Sequence, residues 1–148
     1  KHKEPVVHGL WPQVAPYGNS ECVHPVDDTD PSVVSSCYQG EGDQLGFERH
    51  EWEHHGVCAG VLDANDYFKQ ICALSQQPLL VMSGARAADL DLVDTANQLQ
   101  RSGYCVWALS SQNQVELSAC AGRDGRWKLA DVGDFPRVCG GGAPSPGP

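Results

Sequence analysis

Apolar residues recur at helical spacing through the middle of the chain. The pattern predicts three helices, over residues 47–55, 62–76 and 87–100. The second has Asp63 or Asn65 as its N-cap and is expected to stop before Pro78, because proline lacks the amide hydrogen that an interior helical position donates. Gly56 and Gly103 follow the first and third helices and are expected to end them.

The period shortens to two in the last third of the chain. This alternation predicts a strand pair over 104–109 and 115–120 and a further strand over 126–130. A short β-rich segment, 5–12, precedes a long loop region, 13–46. Because helices and strands do not alternate in a βαβ rhythm, we expect an α+β fold with a mostly antiparallel β-sheet core packed with helices.

The length of 148 residues predicts one domain, over 1–139. The Gly- and Pro-rich end, 140–148, is expected to be a disordered tail. With 41% hydrophobic and 20% charged residues, the composition is that of a soluble globular protein. No apolar run approaches the roughly 20 residues of a membrane span, and the N-terminus carries no signal-peptide pattern. We therefore expect a chain that does not enter a membrane, and we also expect it to be a monomer.

Seven cysteines are spread along the chain without a C-x-x-C pair. Structural zinc sites usually use close pairs, so this spacing favours disulfides formed in an oxidising compartment, with several buried reduced cysteines as the alternative. Cys22 and Cys37 would staple the long loop region, and the odd number leaves at least one cysteine without a partner.

The net charge of −9 and the pI near 4.9 limit how the chain can bind a polyanion. Proteins that hold nucleic acid by general electrostatics are usually basic. Any nucleic acid is therefore expected to bind at a small local site, in acidic surroundings.

The first predicted helix carries an unusual stripe. At spacings i, i+3, i+4, i+7 and i+8 stand Phe47, His50, Glu51, His54 and His55. A core stripe would be aliphatic, and three imidazoles with a carboxylate cannot be buried without partners. The stripe is more consistent with the wall of a cleft.

One interpretation of this stripe is a zinc site. Residues 50–54 match H-E-x-x-H, which places two histidine ligands one turn apart with a glutamate base. The helix ends soon after His54, and no histidine follows His55, so a third ligand would have to be acidic or lie upstream. A zinc hydrolase is the weaker interpretation, and we expect neither a metal nor another cofactor.

The other interpretation uses two imidazoles as general acid and base. RNA carries its own nucleophile, the 2′-hydroxyl, so its cleavage needs one group to take that proton and another to protonate the leaving 5′-oxygen. Histidine suits both roles because it titrates near neutral pH. His8, on a separate segment, could face the helix across a cleft.

Two stretches carry a resemblance to a known family. His8-Gly9-Leu10-Trp11-Pro12 and Phe47-x-x-His50-Glu51-Trp52-x-x-His55-Gly56-x-Cys58 resemble the two active-site segments of the ribonuclease T2 family. The resemblance implies a disulfide-stapled endoribonuclease that acts on single-stranded RNA with low base specificity and without a metal. It further implies a location that is secreted, periplasmic or vacuolar/lysosomal. It also implies a 2′,3′-cyclic phosphate intermediate that is hydrolysed to a 3′-phosphate.

The resemblance assigns roles to individual residues. His55 is similar to the family's catalytic base and His8 to its general acid. Glu51 is similar to the glutamate that stabilises the transition state, and His50 to a phosphate-binding histidine. His54 stands where the family usually has lysine, which suggests activity confined to acidic pH because histidine is cationic only when protonated.

The resemblance also implies base-binding residues and disulfides. Trp11 is similar to an aromatic that stacks on the first base and Phe47 to one at the second base site. Gln13 and Tyr17 are further substrate-binding candidates, although some members have an acidic residue at the position of Gln13. The implied disulfides join Cys58 to Cys22 or Cys37, and Cys139 to Cys105 or Cys120.

The family usually has a further strand and cysteine upstream of His8, where this chain has only seven residues. The missing cysteine would explain the odd count. A second functional hypothesis follows from this departure and from His54: a catalytically weakened member that serves as an extracellular binding or storage protein.

Overall fold

The computed structural model describes residues 3–13, 21–39 and 42–140. Within them lie four α-helices: α1 (Gln44–His54), α2 (Ala64–Ala87), α3 (Leu92–Arg101) and α4 (Phe135–Val138). The four strands are β1 (Val106–Leu109), β2 (Val115–Leu117), β3 (Ala119–Ala121) and β4 (Trp127–Leu129). The predicted α+β class is confirmed.

The strands form two antiparallel ladders, β1 with β2 and β3 with β4. The predicted segment 115–120 divides at Ser118, whose amide donates to the Cys105 carbonyl of one ladder while its hydroxyl donates to the Ala130 carbonyl beside the other. The expected core of mostly antiparallel sheet is not seen in the described residues, because the strands are only three or four residues long. The largest fully buried apolar side chains lie on helices: Trp52, Tyr67, Phe68 and Leu99.

Helix α1 begins three residues before its predicted start. Asp43 caps it by accepting a hydrogen bond from the Gly46 amide, which satisfies one of the free donors of the first turn. The helix ends at His54, one residue before the predicted end, and Gly56 is not in the left-handed conformation. A Cβ at Gly56 would clash with Trp52 and Tyr67, so the requirement for glycine there is close packing.

Helix α2 starts after Asp63, one of the two predicted caps, which accepts a hydrogen bond from the Asp66 amide. The predicted stop at Pro78 is wrong, because α2 continues through this proline to Ala87. Proline in a helix interior costs about 3 kcal/mol, and burial of Pro78 and Ala85 offsets part of that cost.

The third predicted helix begins five residues late. Residues 87–90 end α2, with Asp89 in the left-handed conformation (φ 57°) and the Leu90 amide bonded to the Ala85 carbonyl. Asp91 caps α3 through the Asp94 amide. Gly103 follows α3 with φ 94°, as a helix-ending glycine requires.

Six of the seven cysteines form disulfides: Cys22–Cys58, Cys37–Cys72 and Cys120–Cys139. The first and last were among the implied alternatives, whereas the pair formed by Cys37 was not foreseen. Cys105 is the unpaired cysteine.

The chain contacts divide it into two compact units, Val6–Ala73 and Lys1–Pro5 with Leu74–Pro148. Every site residue discussed below belongs to the first unit. Of the predicted tail, only Gly140 lies within the described residues, so a domain ending at residue 139 stays a prediction. Among the described helices, none combines the length and apolar character that a membrane span requires.

Candidate active site

The segment that carries His8 is held by tyrosine side chains. The expected β-rich segment is wrong, because no strand is formed over the described residues 5–13. Instead, the Tyr38 hydroxyl donates to the His8 carbonyl at 2.8 Å. The Tyr67 hydroxyl donates to the Leu10 carbonyl at 2.6 Å and accepts from the Leu10 amide at 3.3 Å. These side-chain hydrogen bonds therefore satisfy backbone groups that a neighbouring strand would bond in a sheet.

Glu51 connects this segment to helix α1. Its side chain is only 1% exposed, and both carboxylate oxygens have partners. Oε1 lies 3.2 Å from His8 Nε2, and Oε2 accepts a hydrogen bond from Trp11 Nε1 at 3.0 Å. A Cβ at Gly9 would clash with the Glu51 carboxylate, so glycine permits the close approach of the two segments.

The two predicted motifs meet in a cluster of rings. The Trp11 ring centroid is 5.0 Å from that of His8 and 5.5 Å from that of His55. The Phe47 ring lies 5.3 Å from His8. The structure thus brings together His8, Trp11, Phe47, Glu51 and His55.

His55 occupies the C-cap of α1, where its amide donates to the Glu51 carbonyl at 3.0 Å. Its side chain is half-buried. Burial lowers the pKa of His55, the neighbouring Glu51 carboxylate acts in the opposite direction, and the imidazoles of His54, His50 and His8 lower it further. His55 therefore stays neutral to a lower pH than an ordinary histidine.

His50 and His54 are the solvent-exposed members of the predicted stripe. Their rings lie 4.3 Å apart and both residues are exposed, whereas Glu51 is buried and Phe47 is half-buried. The stripe therefore does not share one environment. Within the described ranges there is no group of three or more His, Cys, Asp or Glu side chains arranged to hold a metal ion.

The two remaining substrate-binding candidates cannot both be placed. Gln13 is exposed, at the edge of the described segment that carries His8. Tyr17 lies outside the described residues.

Three residues near the site were missed by sequence reasoning. Tyr38 had no assigned role, and Tyr67 lay within the second predicted helix without a role for its hydroxyl. Glu48 is fully buried, with Oε1 accepting from the Ser35 amide at 2.7 Å and Oε2 without a partner among the described residues. Its position on α1, one turn before Glu51 and Trp52, was the only available signal.

Comparison with known proteins gives several distant relatives. The chain is 36% identical to ribonuclease 3 of Arabidopsis thaliana over 87 residues, which is 51% of this chain and 39% of that protein. It is 29% identical to extracellular ribonuclease LE of Solanum lycopersicum over 135 residues, covering 73% of this chain and 56% of that protein. A ribonuclease of Aeromonas hydrophila is 35% identical over 72 residues, or 49% and 32% of the two chains.

The chain thus spans between a third and somewhat more than half of the length of these relatives. No solved structure matches it significantly. The Ribonuclease T2 family model matches residues 1–83, which contain both motifs and every residue of the ring cluster. Because this match covers more than half of the chain, the protein belongs to the ribonuclease T2 family.

Proposed function

We propose that this protein is an endoribonuclease that cleaves single-stranded RNA with His55 as general base and His8 as general acid. The observation that carries the proposal is the convergence on Trp11 of the two histidines from separate segments, with ring centroids 5.0 and 5.5 Å away. Two imidazoles on either side of one aromatic ring can act on the 2′-hydroxyl and on the leaving 5′-oxygen of a single phosphodiester.

In the first step, His55 accepts the 2′-hydroxyl proton as the 2′-oxygen bonds to phosphorus. The bond from phosphorus to the 5′-oxygen breaks, and His8 gives its proton to that oxygen. The product is a 2′,3′-cyclic phosphate. In the second step His8 takes a proton from water as the water oxygen bonds to phosphorus. The bond from phosphorus to the 2′-oxygen breaks, and His55 gives its proton to that oxygen, which leaves a 3′-phosphate.

The lowered pKa of His55 suits the base role at acidic pH. A general base must be neutral, and the lower its pKa, the further into the acidic range it remains so. His8 must start protonated, and in that state it forms an ion pair with the Glu51 carboxylate 3.2 Å away.

The reacting phosphate gathers negative charge, which needs cations or donors nearby. His50 and His54 are exposed on the same helix and supply positive charge when protonated. Glu51 contributes by holding His8 and Trp11, in addition to the transition-state role implied by the family. Since His54 replaces a permanent cation, activity is confined to acidic pH.

Base binding rests on aromatic surfaces. Stacking on an aromatic side chain is worth roughly 1–3 kcal/mol per base and accepts any base. Trp11 serves the first base and Phe47 the second, with Gln13 and Tyr17 as further contacts. Low base specificity follows from this reliance on stacking.

The protein acts as a secreted monomer. Three disulfides are stable in an oxidising compartment, and one of the relatives is an extracellular ribonuclease. The net charge of −9 leaves substrate binding to the local site rather than to the whole surface.

The test is cleavage of single-stranded RNA by the full chain between about pH 4 and about pH 8, with and without a chelator. We expect chelator-resistant cleavage at acidic pH, with a 2′,3′-cyclic phosphate detected before the 3′-phosphate. Binding of RNA without cleavage supports a binding or storage protein, and chelator-sensitive hydrolysis supports a zinc enzyme.

Two variants assign the roles. His8→Ala and His55→Ala should each lower the rate by about 10²–10⁴-fold. His24→Ala, an exposed histidine in the same unit, is the control and should retain wild-type activity. Near-normal rates in either site variant contradict the mechanism.

A further inference from the structure

Within the described part of the chain, no strand pairs with the backbone around His8, although the proposed acid must lie within hydrogen-bond reach of the leaving oxygen. Two tyrosine hydroxyls hydrogen-bond to this backbone. Tyr38 bonds the carbonyl of His8 itself, and Tyr67 bonds both backbone groups of Leu10. These contacts flank Gly9, the residue that packs against Glu51.

Both tyrosines are buried in the core. Tyr38 is 4% exposed and packs edge-on against Phe68 at 5.4 Å. Tyr67 is fully buried and contacts Trp52 at 5.7 Å. The Cys37–Cys72 disulfide fixes the neighbour of Tyr38 to α2, the helix that carries Tyr67.

The hydroxyls also remain donors across the working pH range. Burial raises the pKa of Tyr38, and the charges of Tyr67, Glu51 and Glu48 raise it further. Burial likewise raises the pKa of Tyr67, against the opposing effect of its hydrogen bond to Leu10. Each hydroxyl therefore keeps the proton that it donates to a backbone carbonyl.

We propose that Tyr38 and Tyr67 are positioning residues that fix the backbone of the His8 segment and so aim the general acid at the leaving oxygen. They touch neither substrate nor reacting atoms in this role. The inference rests on the proposed ribonuclease function and adds residues that neither active-site motif contains.

The kinetic test uses Tyr38→Phe and Tyr67→Phe, with Tyr104→Phe in the other unit as control. On a dinucleoside phosphate, kcat should fall about 10-fold in Tyr38→Phe and further in Tyr67→Phe, which loses two contacts. KM should change by less than about threefold, because ground-state contacts are retained. The control should keep wild-type kcat and KM.

A second substrate separates positioning from general damage. Uridine 3′-(4-nitrophenyl phosphate) has a leaving group that needs no protonation, so its cleavage depends on the base but not on the acid. The loss in the two variants should shrink to less than about threefold on this substrate. An equal loss on both substrates overturns the proposal.

Hydrogen exchange tests the anchoring without reference to activity. The Leu10 amide should exchange at least about 10-fold faster in Tyr67→Phe than in wild type, with the amides of α3 unchanged. If the wild type does not cleave RNA, the function fails while this prediction stands. Unchanged Leu10 exchange in Tyr67→Phe, or unchanged kcat in Tyr38→Phe, overturns the positioning role.

Discussion

The indole Nε1 of Trp11 donates a hydrogen bond to Oε2 of Glu51 over 3.0 Å. The residue proposed to stack on a base is therefore also a partner of the buried carboxylate that contacts His8. The orientations of the Trp11 ring and of the His8 imidazole depend on the same side chain, so we expect base binding and proton transfer to be coupled through Glu51.

Trp11→Phe keeps an aromatic face and removes the N–H donor. Because a hydrogen bond to a charged group is worth about 1.5–3 kcal/mol, we expect kcat/KM to fall by about 10-fold or more, mainly through kcat. Steady-state kinetics on a dinucleoside phosphate measure the effect. Trp107→Phe, an exposed tryptophan in the other unit, is the matched control. A change confined to KM would leave stacking as the whole role of Trp11.

Glu51→Gln removes the carboxylate charge with little change in shape. We expect kcat to fall by about 10- to 100-fold, because protonated His8 loses its ion-pair partner. Glu51 raises the pKa of His55, so its loss lowers that pKa further and moves the acidic limb of the pH–rate profile to lower pH. Glu53→Gln, an exposed carboxylate on the same helix, should leave the limb in place. A limb that stays fixed in Glu51→Gln contradicts this electrostatic link.

The candidate site was accessible to sequence reasoning because its motifs are local. His50, Glu51 and His55 lie on or at the end of one helix, and their spacing defines their relative directions. His8 and Trp11 lie three positions apart on one short segment. Only the meeting of the two segments needed tertiary structure.

Longer-range contacts were not accessible in this way. The bond between Tyr67 and Leu10 spans 57 positions, and a tyrosine on an apolar helix face gives no sign of its hydroxyl partner. The predicted helix end at Pro78 is wrong for a related reason. Local helix propensity indicates an end there, whereas α2 continues through the proline. Burial of Glu48 contradicts the usual expectation for a charged residue on a helix.

His54→Lys installs a permanent cation beside the candidate active site. We expect activity to extend towards neutral pH, because the reacting phosphate keeps a counter-ion when histidine would be neutral. The acidic limb should not move to higher pH, since a charged neighbour at this position lowers the pKa of His55. A pH–rate profile of both proteins measures this. An unchanged neutral side of the profile refutes the dependence on His54.

Removal of the Cys37–Cys72 disulfide should affect both stability and catalysis. Cross-links closing loops of 35 residues are worth about 4 kcal/mol in the chain-entropy estimate, so Cys37→Ser with Cys72→Ser should lower the free energy of unfolding by that order. The kcat should also fall, because the anchor of Tyr38 is loosened. Urea denaturation and steady-state kinetics measure the two effects.

The Cys120–Cys139 disulfide provides the control, since it closes a loop of 19 residues in the other unit. Its removal should cost about 3 kcal/mol and leave kcat unchanged under conditions where the protein is folded. Equal kcat losses in the two double variants would show that the catalytic effect is not specific to Tyr38.

Burial of Glu48 should make the free energy of unfolding decline as the pH rises. Burial raises the pKa of Glu48 above the ordinary 4.5, whereas its hydrogen bonds with Ser35 act in the opposite direction. The neighbouring Tyr38 hydroxyl carries no positive charge that would lower this pKa. Above about pH 4.5 the unfolded chain releases this proton before the native protein does. The contribution of Glu48 to the free energy of unfolding therefore falls until Glu48 ionises in the native state too.

Glu48→Gln cannot ionise, so the difference in free energy of unfolding between this variant and the wild type should grow in favour of the variant across this pH window. Urea denaturation at several pH values measures the difference, with Glu53→Gln as the exposed control. Parallel stability curves for wild type and Glu48→Gln would mean that Glu48 ionises as readily in the core as in water.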